Sequence, residues 1–207
     1  MRKILAIWAG RLVGKKSSST PGAIALKICP DLIARLKGGI SKGVIVTCGT
    51  NGKTTTNNLL NSALKKCGYT TVCNVLGANM LGGIATTLAQ AAGLGGGLKA
   101  DYAVLEVDEA SARRVFKYIK PDYMIITNLF RDQLDRYGEI DITVDLLNEA
   151  IDMADGVKLI LNGDDPLTAQ FGEGREAYYF GISEQVLPQV DETKEGRFCV
   201  KCGAEQE

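Results

Sequence analysis

The stretch Val44–Thr56, VIVTCGTNGKTTT, constrains the fold more than any other part of the chain. A short apolar, largely β-branched run reads as a buried strand, and it breaks into Gly49, Thr50, Asn51 and Gly52 before a Lys-Thr-Thr helix start. Strand, glycine turn and helix in that order make a phosphate cradle, or P-loop. Gly49 and Gly52 let the backbone turn so that its N–H groups face inward, and those donors together with the positive helix end attract polyphosphate. Gly49, Thr50, Asn51, Gly52, Lys53, Thr54 and Thr55 are therefore the expected phosphate-binding set. Lys53 adds a mobile positive charge, and the Thr54 hydroxyl is placed to hold Mg²⁺ against the β and γ oxygens. The strict pattern GxxxxGK[ST] is not met, because Thr47 stands where its first glycine belongs. Behind the turn, Leu59, Leu60, Ala63, Leu64 and Cys67 recur at helical spacing, which predicts a helix with that side against the strand. A glycine-rich turn that holds no ligand is the alternative.

Strands and helices alternate along the rest of the chain. After a polar hinge at Ser17–Pro21 and a short helix over Ile24–Leu36, strands are expected at Val44–Thr47, Thr70–Val75, Tyr102–Val107, Tyr123–Thr127 and Val157–Leu161. Helices are expected at Thr54–Cys67, Met80–Ala92, Ala110–Tyr118 and Ile142–Ala154, with Gly93–Gly97 a loop. The glycines of Met80–Ala92 permit close packing, and Leu146, Leu147, Ala150, Ile151 and Ala154 line one face of the last helix. This order implies an α/β fold with a mainly parallel sheet, whose ligand sits beyond the carboxyl ends of the strands.

Polar residues stand where those ends should be. Glu106 and Glu109 lie in LEVDEAS, Asn128 ends MIITN, and Asn162, Asp164 and Asp165 lie in LNGDDP. A carboxylate beside the phosphate turn completes a Mg²⁺ shell, directly or through water, and Glu106 is the first candidate with Glu109 the second. Glu109, Asp164 and Asp165 also read as helix caps. Glu106 is harder to read that way, because it sits inside a strand pattern where a free charge is costly.

Composition narrows the chemistry. The chain has no His, which leaves Lys, carboxylates and metal ions to carry catalysis. Lys plus Arg and Asp plus Glu both number 24, without a basic stripe, which argues against nucleic acid as a partner. Cys29, Cys48, Cys67 and Cys73 are scattered among helix and strand patterns, as reduced thiols in a cytoplasm are. A length of 207 residues with 45% apolar content suits one large domain, or one and a fraction. The start, MRKILAIWAGRLVGKK, is too short and too interrupted to span a bilayer. It reads as a helix docked on the domain or, alternatively, as one that rests weakly on a membrane surface.

The stretches CGTNGKTTT, LEVDEAS, TNLFRDQLDRYGE and LNGDDP, in this order, resemble the ATP-binding central domain of the Mur ligase family, from about Val44 to Gly181. AIWAGRLVG, GANMLGGIATT, EVDEAS and NLFRDQLDRYGE resemble one branch of it, the MurT-like synthetase subunits of lipid II isoglutaminyl synthase. The resemblance implies ATP and Mg²⁺ as cofactors and a GatD-like class I glutamine amidotransferase as partner. It implies activation of the α-carboxyl of D-glutamate in lipid II as an acyl phosphate, at the inner membrane surface. Lys53 and Glu106 would then be catalytic, Thr54 and Glu106 would hold Mg²⁺, and Asn128 and Asn162 would join the nucleotide site. Where amino-acid-adding ligases carry a metal-binding His, this chain has Gln133, and no Lys occurs between Arg136 and Lys158 to be carbamoylated. Both departures favour amidation over amino-acid addition and argue against a second Mg²⁺ site of the usual kind. An amino-acid ligase and a non-catalytic nucleotide-binding interaction module remain as alternatives.

Near the C-terminus, Cys199-x-x-Cys202-Gly resembles one knuckle of a zinc ribbon, and the family resemblance implies a four-Cys insertion of which these two are half. Two free thiols, or a site shared between two copies, are the other readings. The expected organisation is an N-terminal helical segment over 1–43, an incomplete central domain over 44–181 and the start of the insertion over 182–207. A chain of this extent is expected to hold Mg²⁺-polyphosphate weakly and not to amidate alone.

Overall fold

The computed structural model describes residues 1–12, 19–93, 95–130 and 139–182. Cys199, Cys202, Gln133 and Arg136 lie outside them. Six parallel strands form one sheet in the order β2-β3-β1-β4-β5-β6: β1 Ile40–Cys48, β2 Thr71–Cys73, β3 Ala100–Glu106, β4 Tyr123–Ile126, β5 Lys158–Asn162 and β6 Ala177–Phe180. Gly43 to Cys48 are buried without interruption, as a central strand of a parallel sheet requires. Every pairing is parallel, where the sequence predicted a mainly parallel sheet.

Eight α-helices are described: α1 Arg2–Leu12, α2 Thr20–Ile28, α3 Leu32–Lys37, α4 Lys53–Lys66, α5 Leu81–Ala91, α6 Glu109–Phe116, α7 Glu139–Met153 and α8 Pro166–Ala169. The predicted single helix over Ile24–Leu36 is two, α2 and α3. Pro30 between them lacks an N–H and disfavours helical geometry at Cys29, so one helix cannot run through. The expected docking helix is α1: Ala6 and Ile7 are buried in the same core as the sheet, and α1 packs on α2 and α5. Glycine makes the α2–α5 crossing close. The Gly22 N–H donates to Thr86 Oγ1 at 2.8 Å, and a Cβ on Gly22 would lie 1.8 Å from the Gly82 carbonyl oxygen.

The face of α4 departs from the sequence expectation. Its buried residues are Asn57 and Asn61, whereas Leu59, Ala63 and Cys67 are exposed and Leu60 and Leu64 half-buried. The phase of the helix is set at its first turn, where Thr54 reaches Glu106 at 2.7 Å. Positions three and seven residues further on share that side, and they carry Asn57 and Asn61. These amides bond across to β2 and the residue after it: Asn57 to Cys73 Sγ at 3.2 Å and Asn74 Oδ1 at 3.4 Å, and Asn61 Oδ1 accepts from Thr71 at 2.6 Å. Polar pairing across the interface does the work expected of an apolar stripe.

Candidate nucleotide-phosphate site

The chain leaves β1 toward β3 and β2 on one side and returns to β4 on the other, so the end of β1 opens into a crevice between neighbours. Register places Thr47 beside Glu106 of β3 and Cys48 beside Ile126 of β4. The turn after β1 is thus walled by Glu106 on one side and by Thr127 and Asn128 on the other.

The wall at β4 fixes the turn. Gly49 has φ 125°, and a Cβ there would lie 2.2 Å from Thr127 Oγ1. The Thr50 N–H donates to the Asn128 carbonyl at 2.8 Å, and the Asn51 N–H to Asn128 Oδ1 at 2.9 Å. The Asn51 carbonyl accepts from Thr127 Oγ1 at 2.7 Å and Asn128 Nδ2 at 3.2 Å. Asn162 Nδ2 holds the Thr127 carbonyl at 2.9 Å, and Asp165 Oδ2 accepts the Leu129 N–H at 2.8 Å while its other oxygen caps α8. Asn128, Asn162 and Asp165 therefore position the turn. Burial raises the Asp165 carboxyl above the usual carboxylate value, against the lowering effect of the amides it holds.

Gly52, with φ 78°, carries the chain into α4. Among the described residues the N–H groups of Gly52, Lys53, Thr54 and Thr55 donate to no protein acceptor, which leaves the N-terminus of α4 open to an anion. Lys53 Nζ folds back onto the Gly49 carbonyl, the Thr50 carbonyl at 3.2 Å and Glu109 Oε1 at 3.2 Å. The same Glu109 oxygen accepts the Gly49 N–H at 2.6 Å. Glu109, read from sequence as a second metal candidate or a cap, is the counter-ion of Lys53.

The wall at β3 carries the buried carboxylate. Glu106 is 3% exposed, its Oε2 accepts from Thr54 Oγ1 at 2.7 Å, and its Oε1 accepts from Asn79 Nδ2 at 3.1 Å. Among the described residues it has no ion-pair partner. A buried carboxylate whose partners are all neutral donors fits a cation beside it. Among the described residues no cluster of three His, Cys, Asp or Glu gathers. Thr54 and Glu106 would thus supply a partial shell for Mg²⁺, of the kind phosphate and water oxygens complete.

Sequence reasoning missed Asn74 and Asn79, although Asn79 lies within the GANMLGG phrase and Asn74 three residues before it. Asn74 Oδ1 accepts the Glu106 N–H at 2.8 Å while its Nδ2 donates to the Glu106 carbonyl at 2.8 Å and to the Ala78 carbonyl at 3.1 Å. The side chain thereby substitutes for a neighbouring strand at the end of β3. Asn74→Ala leaves two buried main-chain groups unpaired and is expected to cost roughly 2–4 kcal/mol in denaturant unfolding; a loss below that of an ordinary surface substitution would contradict this bracing role.

Burial raises the Cys48 thiol well above its ordinary value, helped by the charge of Glu109, and pushes Cys73 up to about 11. Neither is a thiolate nucleophile near neutral pH. The folded thiols keep their protons where the unfolded chain loses them, so the Cys73 contribution to stability is present below about pH 8.5 and lost as pH rises toward 11, and that of Cys48 is lost in the same direction. Melting temperature is expected to fall across that range, with a shallower fall for Cys73→Ser; equal slopes would contradict the assignment.

An all-parallel sheet with a glycine turn, an invested lysine and a threonine–carboxylate pair at its switch point defines an α/β nucleotide-phosphate-binding domain. The chain belongs to the Mur ligase family: residues 46–202 match the Mur ligase middle domain. It is 39% identical over 201 residues to the MurT subunit of lipid II isoglutaminyl synthase (glutamine-hydrolyzing) from Staphylococcus aureus, covering 96% of this chain and 45% of that protein. Identity to the Streptococcus pneumoniae subunit of the same name is 38% over 189 residues, 90% of this chain and 41% of that one. The chain thus spans less than half the length of these relatives. Its fold is similar to that of MurF ligase from Thermotoga maritima in complex with ADP, with TM-score 0.63 and 20% identity over 77% of this chain and 37% of that one.

Proposed function

We propose that this chain is the ATP-handling part of a synthetase subunit that activates the α-carboxyl of D-glutamate in the lipid II stem peptide for amidation. The observation that carries the reading is the Thr54–Glu106 pair beside the Lys53 turn, in a chain with 39% identity to a MurT subunit across 96% of its length. A carboxylate resists attack by ammonia. Transfer of the γ-phosphoryl group to a carboxylate oxygen gives an acyl phosphate and ADP; ammonia then attacks the carbonyl carbon, and phosphate leaves with that oxygen.

The residues fit these demands. The open amides of Gly52 to Thr55 bind the phosphates, and Lys53, once released from Glu109 by the incoming anion, lies against the transferring group. Thr54 and Glu106 would hold Mg²⁺, which offsets the charge of the β and γ oxygens when bound. Positioning and electrostatics carry phosphoryl transfer, so this step asks for no imidazole, in keeping with a chain that has no His. Ammonia would come from a glutaminase subunit of the class I amidotransferase type, and the site of action would be the cytoplasmic face of the membrane.

The test incubates the complete gene product with lipid II, ATP, Mg²⁺ and ammonium and reads the stem peptide by mass spectrometry. Conversion of one carboxyl to a carboxamide is the expected result. ADP release only on addition of an amino acid would replace this reading with an amino-acid ligase, and nucleotide binding without either product would leave a scaffold.

A further inference from the structure

We propose that the outer face of α1 is a docking surface for an anionic lipid bilayer. The helix buries Ala6 and Ile7 on the domain and leaves Met1, Ile4, Leu5 and Trp8 at 100%, 40%, 57% and 41% exposure. Their spacing places all four on one side of the helix, opposite its buried side. Single exposed apolar residues are ordinary on a soluble surface, whereas four within eight residues on one helix side form a patch.

Charge selects the occupant. Arg2, Lys3, Arg11, Lys15 and Lys16 fall within the first sixteen residues, which contain no Asp or Glu. The whole chain is balanced at 24 basic and 24 acidic residues, so this opening segment carries a positive excess that the rest of the sequence offsets. A second exposed apolar stretch, Tyr178–Ile182 at the edge strand β6, has neighbours of both signs instead: Tyr178 bonds Glu176, itself paired with Lys158 at 3.1 Å, and the Ile182 N–H bonds Asp164. An apolar helix side with an aromatic residue, in a sequence segment rich in cations and free of acids, matches the interface of a membrane that carries acidic headgroups. No described helix is long and apolar enough to cross a membrane, so the mode is resting on the surface. The inference does not depend on the amidation reading, because a bare vesicle carries no substrate.

Trp8 is the only tryptophan of the chain, so its fluorescence reports this face alone. The 207-residue chain is mixed with phosphatidylglycerol vesicles and, separately, with phosphatidylcholine vesicles. The expected result is a blue shift and a sedimenting fraction with phosphatidylglycerol, weaker with phosphatidylcholine, and reduced by salt. Each neutralised basic residue should weaken binding roughly fivefold. Leu5→Glu, at an exposed position that leaves the core intact, should weaken it roughly tenfold or more. Three outcomes overturn the proposal: no shift with either vesicle, binding that Leu5→Glu leaves unchanged, or a blue shift without lipid that grows with protein concentration. The last would mean that a second copy of the chain covers the face.

Discussion

Lys53→Ala is expected to lower ATP-dependent amidation by the complete gene product about 10³-fold or more, since one lost charge donor at a transferring phosphoryl group costs on that scale. The side chain is anchored at the turn by the Gly49 and Thr50 carbonyls and by Glu109, so it is already positioned where the phosphates would arrive. Stability should fall as well. Glu109, at 14% side-chain exposure, loses its counter-ion and keeps only the Gly49 N–H at 2.6 Å as a partner, which costs roughly 3–5 kcal/mol, on the order of 10 °C of melting temperature in a chain of this size. Lys53→Arg retains charge but replaces a compact ammonium with a planar fork, and should restore only part of the rate. An active Lys53→Ala protein would remove the site from the mechanism; loss of a cooperative melting transition together with activity would instead indicate a misfolded variant.

Gly49→Ala is expected to be the most damaging small substitution in the turn. Its φ of 125° disfavours any side chain, and the new Cβ would stand 2.2 Å from Thr127 Oγ1 and 2.9 Å from the Asn128 carbonyl oxygen. The wall cannot yield easily, because Thr127 and Asn128 are tied to Asn51 and Thr50 and backed by Asn162. Strain and overpacking together amount to roughly 2–5 kcal/mol, or about 5–15 °C in melting temperature. Gly52→Ala is the control. Its φ of 78° carries the conformational cost, yet nothing lies within 4 Å of the new Cβ, so a loss of about 1–2 kcal/mol is expected. Equal losses in the two variants would show that the Thr127 wall does not confine the turn.

Local pattern made part of this site legible from sequence. The run before Gly49 could only be a buried strand, the glycine turn announced its own geometry, and Glu106 stood out as a charge inside an apolar strand. Thr54 and Glu106, 52 residues apart, do meet at 2.7 Å. What local pattern could not carry was pairing over distance. Asn74 braces Glu106 from 32 residues away, and Glu109 meets Lys53 from 56. Glu109 therefore read as a cap or a ligand when it is a counter-ion. The face of α4 was misread for a related reason. Leu59, Ala63 and Cys67 form a credible apolar stripe by composition, but a tertiary contact at Thr54 turns the helix and brings Asn57 and Asn61 inward. The break between α2 and α3 needed only the weight of Pro30.

The most direct test of the account follows an oxygen atom. Lipid II labelled with ¹⁸O in the α-carboxyl of its D-glutamate is converted by the complete gene product with ATP, Mg²⁺ and ammonium, and the released phosphate is analysed for label. Activation as an acyl phosphate predicts one labelled oxygen in phosphate for each carboxamide formed. Carboxamide without label in phosphate would contradict the chemistry assigned to the Lys53–Thr54–Glu106 site.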